Sequence, residues 1–418
     1  MSHEIQFGIG FLSGRTNVCQ IINHTYKKLL SQLQKYEKPV KITIFILFDL
    51  SYQKDSQRRD FYEILPEVKQ NINIKYITPE IIEQEKEKLV KQKILNNKEA
   101  NLFLGYGYAR ARNTLLYNAT INGIDYLLFW DDDEYPVACI QDENGTITWK
   151  QQDNILMHLK YIENADITFG HRCGYTSIIP YISLNKANKR KVKAYVEAIK
   201  NEFTTWKNAK TNLSKNKGIT FADPKIAEGK KEYEIIAKEG NYKWISGSPL
   251  CINLKHLDAI PAFYNPEGAR GEDAFFSICI NNAKVLSVPV YHFHDPFLKH
   301  TSILENNYPS VLDEALPQDE NTEQRFYLTS RGWIKYRPLY LYLTSPKHYK
   351  KEIKTTAKNL KIGIPEMNKL FPNKNFDILL SDLEEYDSNV EKDYQNYISV
   401  KEIWDKLRAS LKNDTHTE

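Results

Sequence analysis

The sequence predicts an α/β fold in which a mainly parallel β-sheet is flanked by helices. Short apolar, β-branched runs alternate with stretches of helical spacing over the first third of the chain, and this alternation is typical of a parallel sheet covered by helices. Hydrophobic residues make up 41% of the 418 residues, so a substantial core can form. The length allows one large domain with an appendage, or two domains.

The predicted elements follow one another in a regular order. Apolar runs predict strands at 5–12, 40–50, 73–77, 124–130, 165–170, 244–254 and 284–292. Apolar residues at helical spacing predict helices at 18–33, 81–96, 107–121, 155–162 and 271–281. The strand at 40–50 is the clearest of these, because it is almost entirely β-branched or aromatic.

A change of composition after about residue 305 marks the end of the sheet domain. We expect a sheet domain over 1–305, with the Lys-rich stretch 185–238 as a polar insertion or lid, and a helical extension over 306–418. Within the extension, 331–361 combines basic with aromatic residues. Such a segment suits peripheral contact with an anionic membrane, although helices that pack their tyrosines on the main domain are favoured.

Charge and cysteine content indicate the compartment and exclude one class of partner. The formal net charge is +4, which is too small to suggest a nucleic-acid partner. The five cysteines form no CxxC pair and several lie in apolar runs, which predicts buried, reduced thiols. Neither a signal peptide nor a long apolar span is recognisable. We therefore expect a cytoplasmic protein, peripheral at most to the inner face of the membrane.

Four consecutive acidic residues, Asp131, Asp132, Asp133 and Glu134, follow the predicted strand at 124–130. Ligands of open α/β sheets bind outside the carboxyl ends of the strands, and clustered carboxylates repel one another unless a cation or solvent compensates them. The spacing of Asp131 and Asp133 puts both side chains on one side of an extended segment. Hard divalent cations accept such oxygens. The alternative is a solvated acidic loop.

Two further groups of residues carry candidate chemistry. Glu272 and Asp273 begin an apolar helix, where they either cap it or supply a general base. His292 and His294 face the same way on a strand; one of them could complete a metal shell and would favour Mn²⁺ over Mg²⁺, or both could be structural. Arg112 opens a helix and could orient a carboxylate or a diphosphate, or form an ordinary ion pair.

The order of these motifs resembles that of GT-A fold glycosyltransferases, most of all the family 2 type. The residues that carry the resemblance are ARN at 111–113, FWDDDE at 129–134, SGSPLCIN at 246–253, GEDAFF at 271–276 and the histidines at 292–294. The resemblance covers about residues 4–300. It implies a Rossmann-like mixed sheet and a nucleotide-sugar donor bound through a divalent metal, Mn²⁺ or Mg²⁺.

The resemblance also implies a role for each matching residue. Asp273 would be the base of an inverting displacement, assisted by Glu272. The metal would be held by Asp131, Asp133, His292 and His294. The nucleotide-sugar donor would be bound by Ser13, Arg15, Asp49, Arg112, Asn113, Asp131 and Asp132.

The acceptor would be a hydroxyl of a glycan or of a lipid-linked saccharide. Two alternatives remain open at this point. A metal-dependent phosphohydrolase or nucleotidyltransferase also requires clustered acids. A non-catalytic module that binds nucleotide sugars would use the same residues without turnover.

Overall fold

The computed structural model describes residues 4–50, 57–176, 178–200, 205–239 and 242–414. Its strands are β1 (Ile5–Ser13), β2 (Val40–Phe48), β3 (Asn73–Ile77), β4 (Tyr126–Trp130), β5 (Glu134–Tyr135), β6 (Val137–Gln141), β7 (Ile147–Gln151), β8 (Ile167–Gly174), β9 (Glu234–Ile235), β10 (Leu250–Asn253) and β11 (Val285–His294). Its α-helices are α1 (Asn17–Leu33), α2 (Pro66–Asn71), α3 (Pro79–Lys91), α4 (Asn97–Phe103), α5 (Tyr108–Ile121), α6 (Asn154–Ile162), α7 (Lys189–Ile199), α8 (Trp206–Lys215), α9 (Pro224–Ala227), α10 (Glu272–Cys279), α11 (Glu320–Thr344), α12 (Tyr349–Leu370), α13 (Ile378–Ser388) and α14 (Val390–Asp414).

The main sheet is mixed and mainly parallel, which confirms the predicted class. Its strand order is β3-β2-β1-β4-β10-β8-β11-β5, and β9 pairs with β11. The strands β3, β2, β1 and β4 are parallel neighbours. The antiparallel β10 separates them from β8 and β11, which are parallel to each other. β6 and β7 form a separate two-stranded ribbon.

This topology brings the carboxyl ends of six strands, β1, β2, β3, β4, β8 and β11, to one edge of the sheet. Because β10 runs opposite to both of its neighbours, β8 and β11 point in the same direction as β1, β2 and β4. The chain moves outward from β1 to β2 and β3, and then returns to place β4 on the other side of β1. The crevice between β1 and β4 is thus a topological switch point, where open α/β sheets bind their ligands.

Alternation along the strands divides the core into two layers. In β1, Phe7, Ile9 and Phe11 are buried on the side covered by α1 and α6. On the opposite side, Gly8 lets the turn after α5 approach closely, since a Cβ at this position would lie 2.9 Å from Ile124 Cγ2. The second layer runs without a break from the sheet into α11–α14.

The C-terminal extension therefore shares its core with the sheet domain. The Trp404 indole of α14 stacks on Phe103 of α4, with ring centroids 5.7 Å apart, and donates to the carbonyl of Ile260 at 2.7 Å. The five aromatic residues of 331–361 that suggested a membrane-facing surface are all buried or half-buried, namely Trp333, Tyr336, Tyr340, Tyr342 and Tyr349. These aromatic residues agree with the favoured alternative, in which the helices of this segment pack their tyrosines on the main domain.

The stretch 185–238 is only partly the polar insertion that its composition predicts. Its helix α7 packs against α12, where Gly363 leaves room for the backbone of Tyr195, and it buries Val192 and Ile199 in the shared core. Because the helix also carries several lysines, its average composition does not reveal this apolar face. The predicted strand at 244–254 shortens to β10, because Pro249 cannot donate to a ladder.

Two further expectations can be compared with the structure. All five cysteines are unpaired, and four of them are buried, as their apolar surroundings predict. Within the described residues, none of the helices has a stretch apolar enough, over sufficient length, to cross a membrane.

Candidate functional site

A cleft of about 660 Å³ opens at the carboxyl edge of the sheet and collects ten of the twelve predicted site residues. These ten are Ser13, Arg15, Asp49, Arg112, Asp131, Asp132, Asp133, Glu272, Asp273 and His294. They come from positions up to 281 residues apart. The strand ends and the start of α10 bring them together.

The turn after β1 holds the acidic cluster in place. Ser13 Oγ donates to Asp132 Oδ2 at 2.5 Å, and the Arg15 guanidinium bonds both Asp132 and Asp133, the latter at 2.7 Å. The Asn17 side chain donates to the backbone carbonyl of Asp132. Asp49 follows β2, and its backbone N–H donates to the Ser13 carbonyl at 2.9 Å. The crevice between β1 and β4 is therefore charged and closely connected.

Asp133 is a buried carboxylate with two guanidinium partners. Besides Arg15, Arg325 of α11 donates to Asp133 Oδ2 at 3.1 Å. Burial alone would raise the pKa of Asp133, but the charges of Arg15 and Arg325 outweigh it and hold this pKa far below its usual range. Asp133 is consequently charged at neutral pH.

His294 presents an unprotonated nitrogen to Asp133. Its Nδ1 lies 2.7 Å from the Tyr175 carbonyl, which can only accept, so Nδ1 carries the proton. Burial lowers the pKa of His294, which favours the neutral ring. The Nε2 lone pair then faces Asp133 Oδ1 at 3.7 Å. Two acceptors that face each other in this way repel unless a cation lies near both, and metal-binding histidines are usually oriented by a carbonyl in the same manner.

Asp131 and Glu134 form a second ionic group around Arg172. The Arg172 guanidinium bonds Glu134 through Nε and approaches Asp131 Oδ2 at 3.3 Å through Nη2. Arg112 Nη2 lies 3.7 Å from Asp131 Oδ1. Burial and the charge of Glu134 raise the pKa of Asp131 to about 7 in spite of both arginines. A ligand that brought positive charge here would complete the compensation of Asp131.

Glu272 and Asp273 line the same cleft from the start of α10. Gly271 makes the preceding turn in the left-handed region, with φ +92°. Arg112 Nε bonds Glu272 Oε1 at 3.3 Å, so Arg112 links this pair to the acidic cluster. Burial and the neighbouring Glu272 raise the pKa of Asp273 to about 6. Asp273 lines the cleft with a carboxyl tuned towards neutral pH, as a general base requires.

Aromatic side chains form the wall beside Asp273. Trp244, Trp333, Tyr336 and Tyr108 line the same cleft, and Arg270 stacks over the Tyr108 ring at 4.8 Å from its centroid. Two of these residues, Trp333 and Tyr336, belong to α11. The C-terminal extension is therefore part of the site, which the division at residue 305 did not anticipate.

Two predicted site residues lie outside the cleft. Asn113 is buried, and its amide exchanges two hydrogen bonds with the backbone of Phe263, at 2.8 and 2.9 Å. His292 is fully buried, with Nδ1 2.9 Å from Glu134 Oε2. Alternation does put His292 on the same face as His294, but about 7 Å deeper along the strand, where Glu134 separates it from the cleft.

The predicted metal set of four is consequently not assembled. Among the described residues, no group of three or more His, Cys, Asp or Glu side chains is arranged to hold a metal ion. Asp133 and His294 are adjacent, whereas Asp131 faces Arg112 and Arg172, and His292 lies behind Glu134. A cation shared by Asp133 and His294 would need further oxygen ligands from a substrate or from water.

The sequence analysis identified Arg15 and Arg112 but missed two other arginines that neutralise the acids, Arg172 and Arg325. Arg172 lies near the carboxyl end of β8, which also brings His171 to the cleft, so its position at a strand end was the available signal. Arg325 had no such signal, because it lies 192 residues from Asp133 in an unremarkable helix. The chain matches neither a protein-family model nor a curated sequence.

Proposed function

We propose that the protein is a metal-dependent glycosyltransferase of the GT-A type. It would transfer a sugar from a nucleoside-diphosphate donor to a hydroxyl of a glycan or a lipid-linked saccharide. The mixed, mainly parallel sheet with its cleft at the switch point is the architecture that such an enzyme requires. The proposal depends above all on one observation, the pairing of Asp133 with the unprotonated Nε2 of His294 inside that cleft.

Asp133 and His294 fit a divalent cation that also binds a diphosphate. Mg²⁺ and Mn²⁺ commonly take one or two protein ligands and complete their shell with substrate phosphate oxygens and water. The imidazole favours Mn²⁺. When bound, such an ion neutralises the negative charge that grows on the departing diphosphate.

The arginines around the cluster suit the same ligand. Arg15, Arg172 and Arg325 line the cleft with their guanidinium groups, which bind phosphate oxygens in a bidentate manner. In the structure these groups pair with Asp132, Asp133 and Glu134. They can turn towards a diphosphate without leaving the carboxylates uncompensated if a cation enters with it.

Asp273 supports the chemical step. Its carboxyl lines the cleft, and burial and the neighbouring Glu272 raise its pKa to about 6. There it can accept the proton of an incoming hydroxyl as that oxygen attacks the sugar from the side opposite the diphosphate. The aromatic wall of Trp244, Trp333 and Tyr336 beside it offers the apolar, flat surface on which sugar rings pack. An inverting displacement is the reaction that we propose for this pair of groups.

The test is product analysis with and without metal. A panel of nucleotide sugars (UDP-glucose, UDP-galactose, UDP-N-acetylglucosamine, GDP-mannose) is incubated with the protein and Mn²⁺, and the released products are identified. A glycosyltransferase releases nucleoside diphosphate, even when water is the acceptor, and excess EDTA abolishes the release. Release of phosphate, pyrophosphate or nucleoside monophosphate would show a phosphohydrolase or nucleotidyltransferase instead, and binding without turnover would show a non-catalytic module.

Two variants locate the metal. Asp133→Ala and His294→Ala each remove one of the two proposed ligands, so we expect Mn²⁺ affinity in the presence of nucleoside diphosphate to fall by more than about tenfold. His256→Ala is the matched control, because His256 pairs with Asp166 at 2.8 Å outside the cleft. Titration calorimetry with Mn²⁺ measures the effect. Unchanged affinity in both cleft variants would remove the metal from the proposal.

A further inference from the structure

Helix α12 presents a stripe of lysines to solvent. We call Lys347, Lys350, Lys351, Lys354, Lys358 and Lys361 the lysine stripe; all six side chains are exposed. They recur every three or four residues, so they lie along one face of the helix. Lys347 lies just before α12, and the lysines of the helix itself, from Lys350 to Lys361, extend over about 17 Å at 1.5 Å per residue. On the opposite face, Ile353, Leu360 and Ile364 are buried in the shared core, which fixes the direction of the lysines.

The stripe is hardly compensated by acids. Within the described residues, Lys351, Lys354, Lys358 and Lys361 make no salt bridge, and Lys350 has a single distant partner, Asp387, at 3.9 Å. Helix α12 carries six lysines and two glutamates, a net charge of 6 − 2 = +4, equal to that of the whole chain. One glutamate, Glu366, is already paired with Lys191 of α7 at 3.1 Å.

The neighbouring helix extends this basic surface. Lys191 of α7 contacts Glu366, whereas Tyr195, further along α7, contacts the earlier Gly363. The two helices are therefore antiparallel neighbours. Helix α7 exposes Lys189, Arg190 and Lys193. Two adjacent surface helices thus present cations to the same solvent region.

The lysine stripe is unfavourable for the isolated protein. Lysines three or four residues apart on a helix repel each other, and the stripe contains several such pairs, for example Lys350 with Lys354, and Lys354 with Lys358. An anionic surface would relieve this repulsion. The remaining exposed residues of α12 are Thr355, Pro365 and Lys369. This helix therefore exposes neither an arginine nor an aromatic ring. Nucleic-acid sites use such side chains to bind phosphates and to stack on bases.

We propose that the lysine stripe docks the protein on an anionic lipid surface. A straight row of flexible point charges matches the diffuse negative charge of a bilayer, and the attraction adds up over the lysines close to it. The aromatic residues of the extension are packed inside, so the contact is electrostatic and does not involve insertion. Helix α12 follows α11, which supplies Arg325, Trp333 and Tyr336 to the cleft. Docking would therefore keep the cleft close to the membrane, where a lipid-linked acceptor would be.

Co-sedimentation with vesicles tests this proposal independently of catalysis. The full chain is mixed with vesicles of phosphatidylcholine alone or with added phosphatidylglycerol, at about 0.1 M and about 1 M salt, because screening separates electrostatic from apolar contact. We expect binding only to the vesicles with phosphatidylglycerol, and only at low salt. Failure to bind these vesicles, or binding that survives high salt, would overturn the proposal, as would binding to duplex DNA without binding to vesicles.

Two matched charge reversals locate the contact. Replacing Lys351, Lys354, Lys358 and Lys361 by glutamate should weaken vesicle binding by more than about tenfold. The control replaces four exposed lysines of the α3–α4 region by glutamate and changes the net charge equally; these are Lys88, Lys91, Lys93 and Lys98. A set of glutamines at the stripe positions should give an intermediate loss and guards against misfolding of the reversed chain. Equal losses in stripe and control variants would refute the assignment.

Discussion

The pH dependence of turnover is the sharpest test of the role proposed for Asp273. Asp273 lies half-enclosed in the cleft wall, next to Glu272, and both features raise its pKa to about 6. A general base works only when it is deprotonated. Activity should therefore be complete above pH 6 and should be lost as the pH falls through 6. The perturbations are the pH itself and the substitution Asp273→Asn, which keeps the shape and removes the base.

The size of the effect follows from the pKa. With a pKa of about 6, about 91% of the carboxyl is charged at pH 7 and about 9% at pH 5, so kcat/KM should fall about tenfold between these values. An ordinary aspartate, with a pKa of about 3.9, would lose less than about a tenth of its charged form over the same range. Asp273→Asn should reduce kcat by a factor of about 10² to 10⁴, while donor and Mn²⁺ affinities change little.

The assay measures the initial rate at which nucleoside diphosphate is released from the donor that the protein uses. The acceptor is water, or a hydroxyl compound that has been found to act as acceptor. Rates are measured in Mn²⁺ from pH 5 to pH 8 (roughly the range in which small shifts around pH 6 are visible). Asp405→Asn is the control, because Asp405 is exposed on α14 and pairs only with the nearby Arg408 among the described contacts. This variant should follow the wild-type profile.

Two results would contradict the reasoning about Asp273. Full activity of Asp273→Asn would show that the proton of the acceptor goes elsewhere. An acidic limb that stays near pH 6 in this variant would assign the titration to another group. Asp131, whose pKa is raised to about 7, is the group in the cleft to which it would then be attributed.

Two further predictions concern single side chains of the site. Arg325→Ala removes a guanidinium hydrogen bond to Asp133, a contact of about 1.5–3 kcal/mol, so kcat/KM should fall by about 10- to 100-fold. The control is Arg331→Ala, on the same helix but outside the cleft, which should leave steady-state rates unchanged. Equal rates in both variants would exclude a role for α11 in the site. Gly271→Ala places a Cβ 2.8 Å from a tyrosine ring of α11 at a φ of +92°, so strain and overpacking should lower the free energy of unfolding by about 2–4 kcal/mol. Gly145→Ala has a similar φ of +84° with nothing within 4 Å and should cost only about 1–2 kcal/mol in denaturant titrations; a larger loss there than at Gly271 would contradict the steric argument.

Local patterns predicted the parts of the fold and site that depend on neighbouring residues. The strand at 73–77 has the predicted bounds, and the acidic residues that follow β4 lie in the cleft because a strand end fixes their position. The class of the sheet followed from the same alternation of strands and helices. These inferences need only the periodicity of a strand or helix and the rule that ligands bind at the carboxyl edge.

The face of a strand or helix on which a residue lies was easier to predict than whether that residue reaches the cleft. The alternation of β11 placed His292 and His294 on one side correctly, yet only His294 reaches the cleft. The difference arises from Glu134, whose buried carboxylate occupies the space beside His292. Similarly, Asn113 follows Arg112 on α5, but the two side chains point in different directions and bond different partners.

Composition also concealed how one segment divides between core and surface. The stretch 331–361 has a single basic and aromatic character, but its two helices use it differently. Helix α11 turns its aromatic residues towards the cleft and the core, whereas α12 turns its lysines outward. A composition average cannot make this distinction, because the phase of each helix depends on which neighbours cover it. The phase is visible only once α7 and the sheet are in place.

The spacing of residues along the chain does not show which side chains neutralise the buried carboxylates. The carboxylates after β4 are consecutive, so their position could be predicted, and their mutual repulsion indicated that cations must be near. Those cations include the guanidinium groups of Arg15, Arg112, Arg172 and Arg325, which come from four different elements. Of the two carboxylates predicted to hold a metal, Asp131 faces Arg112 and Arg172. The remaining position is Asp133 beside His294, where two acceptors face each other and an arginine does not separate them.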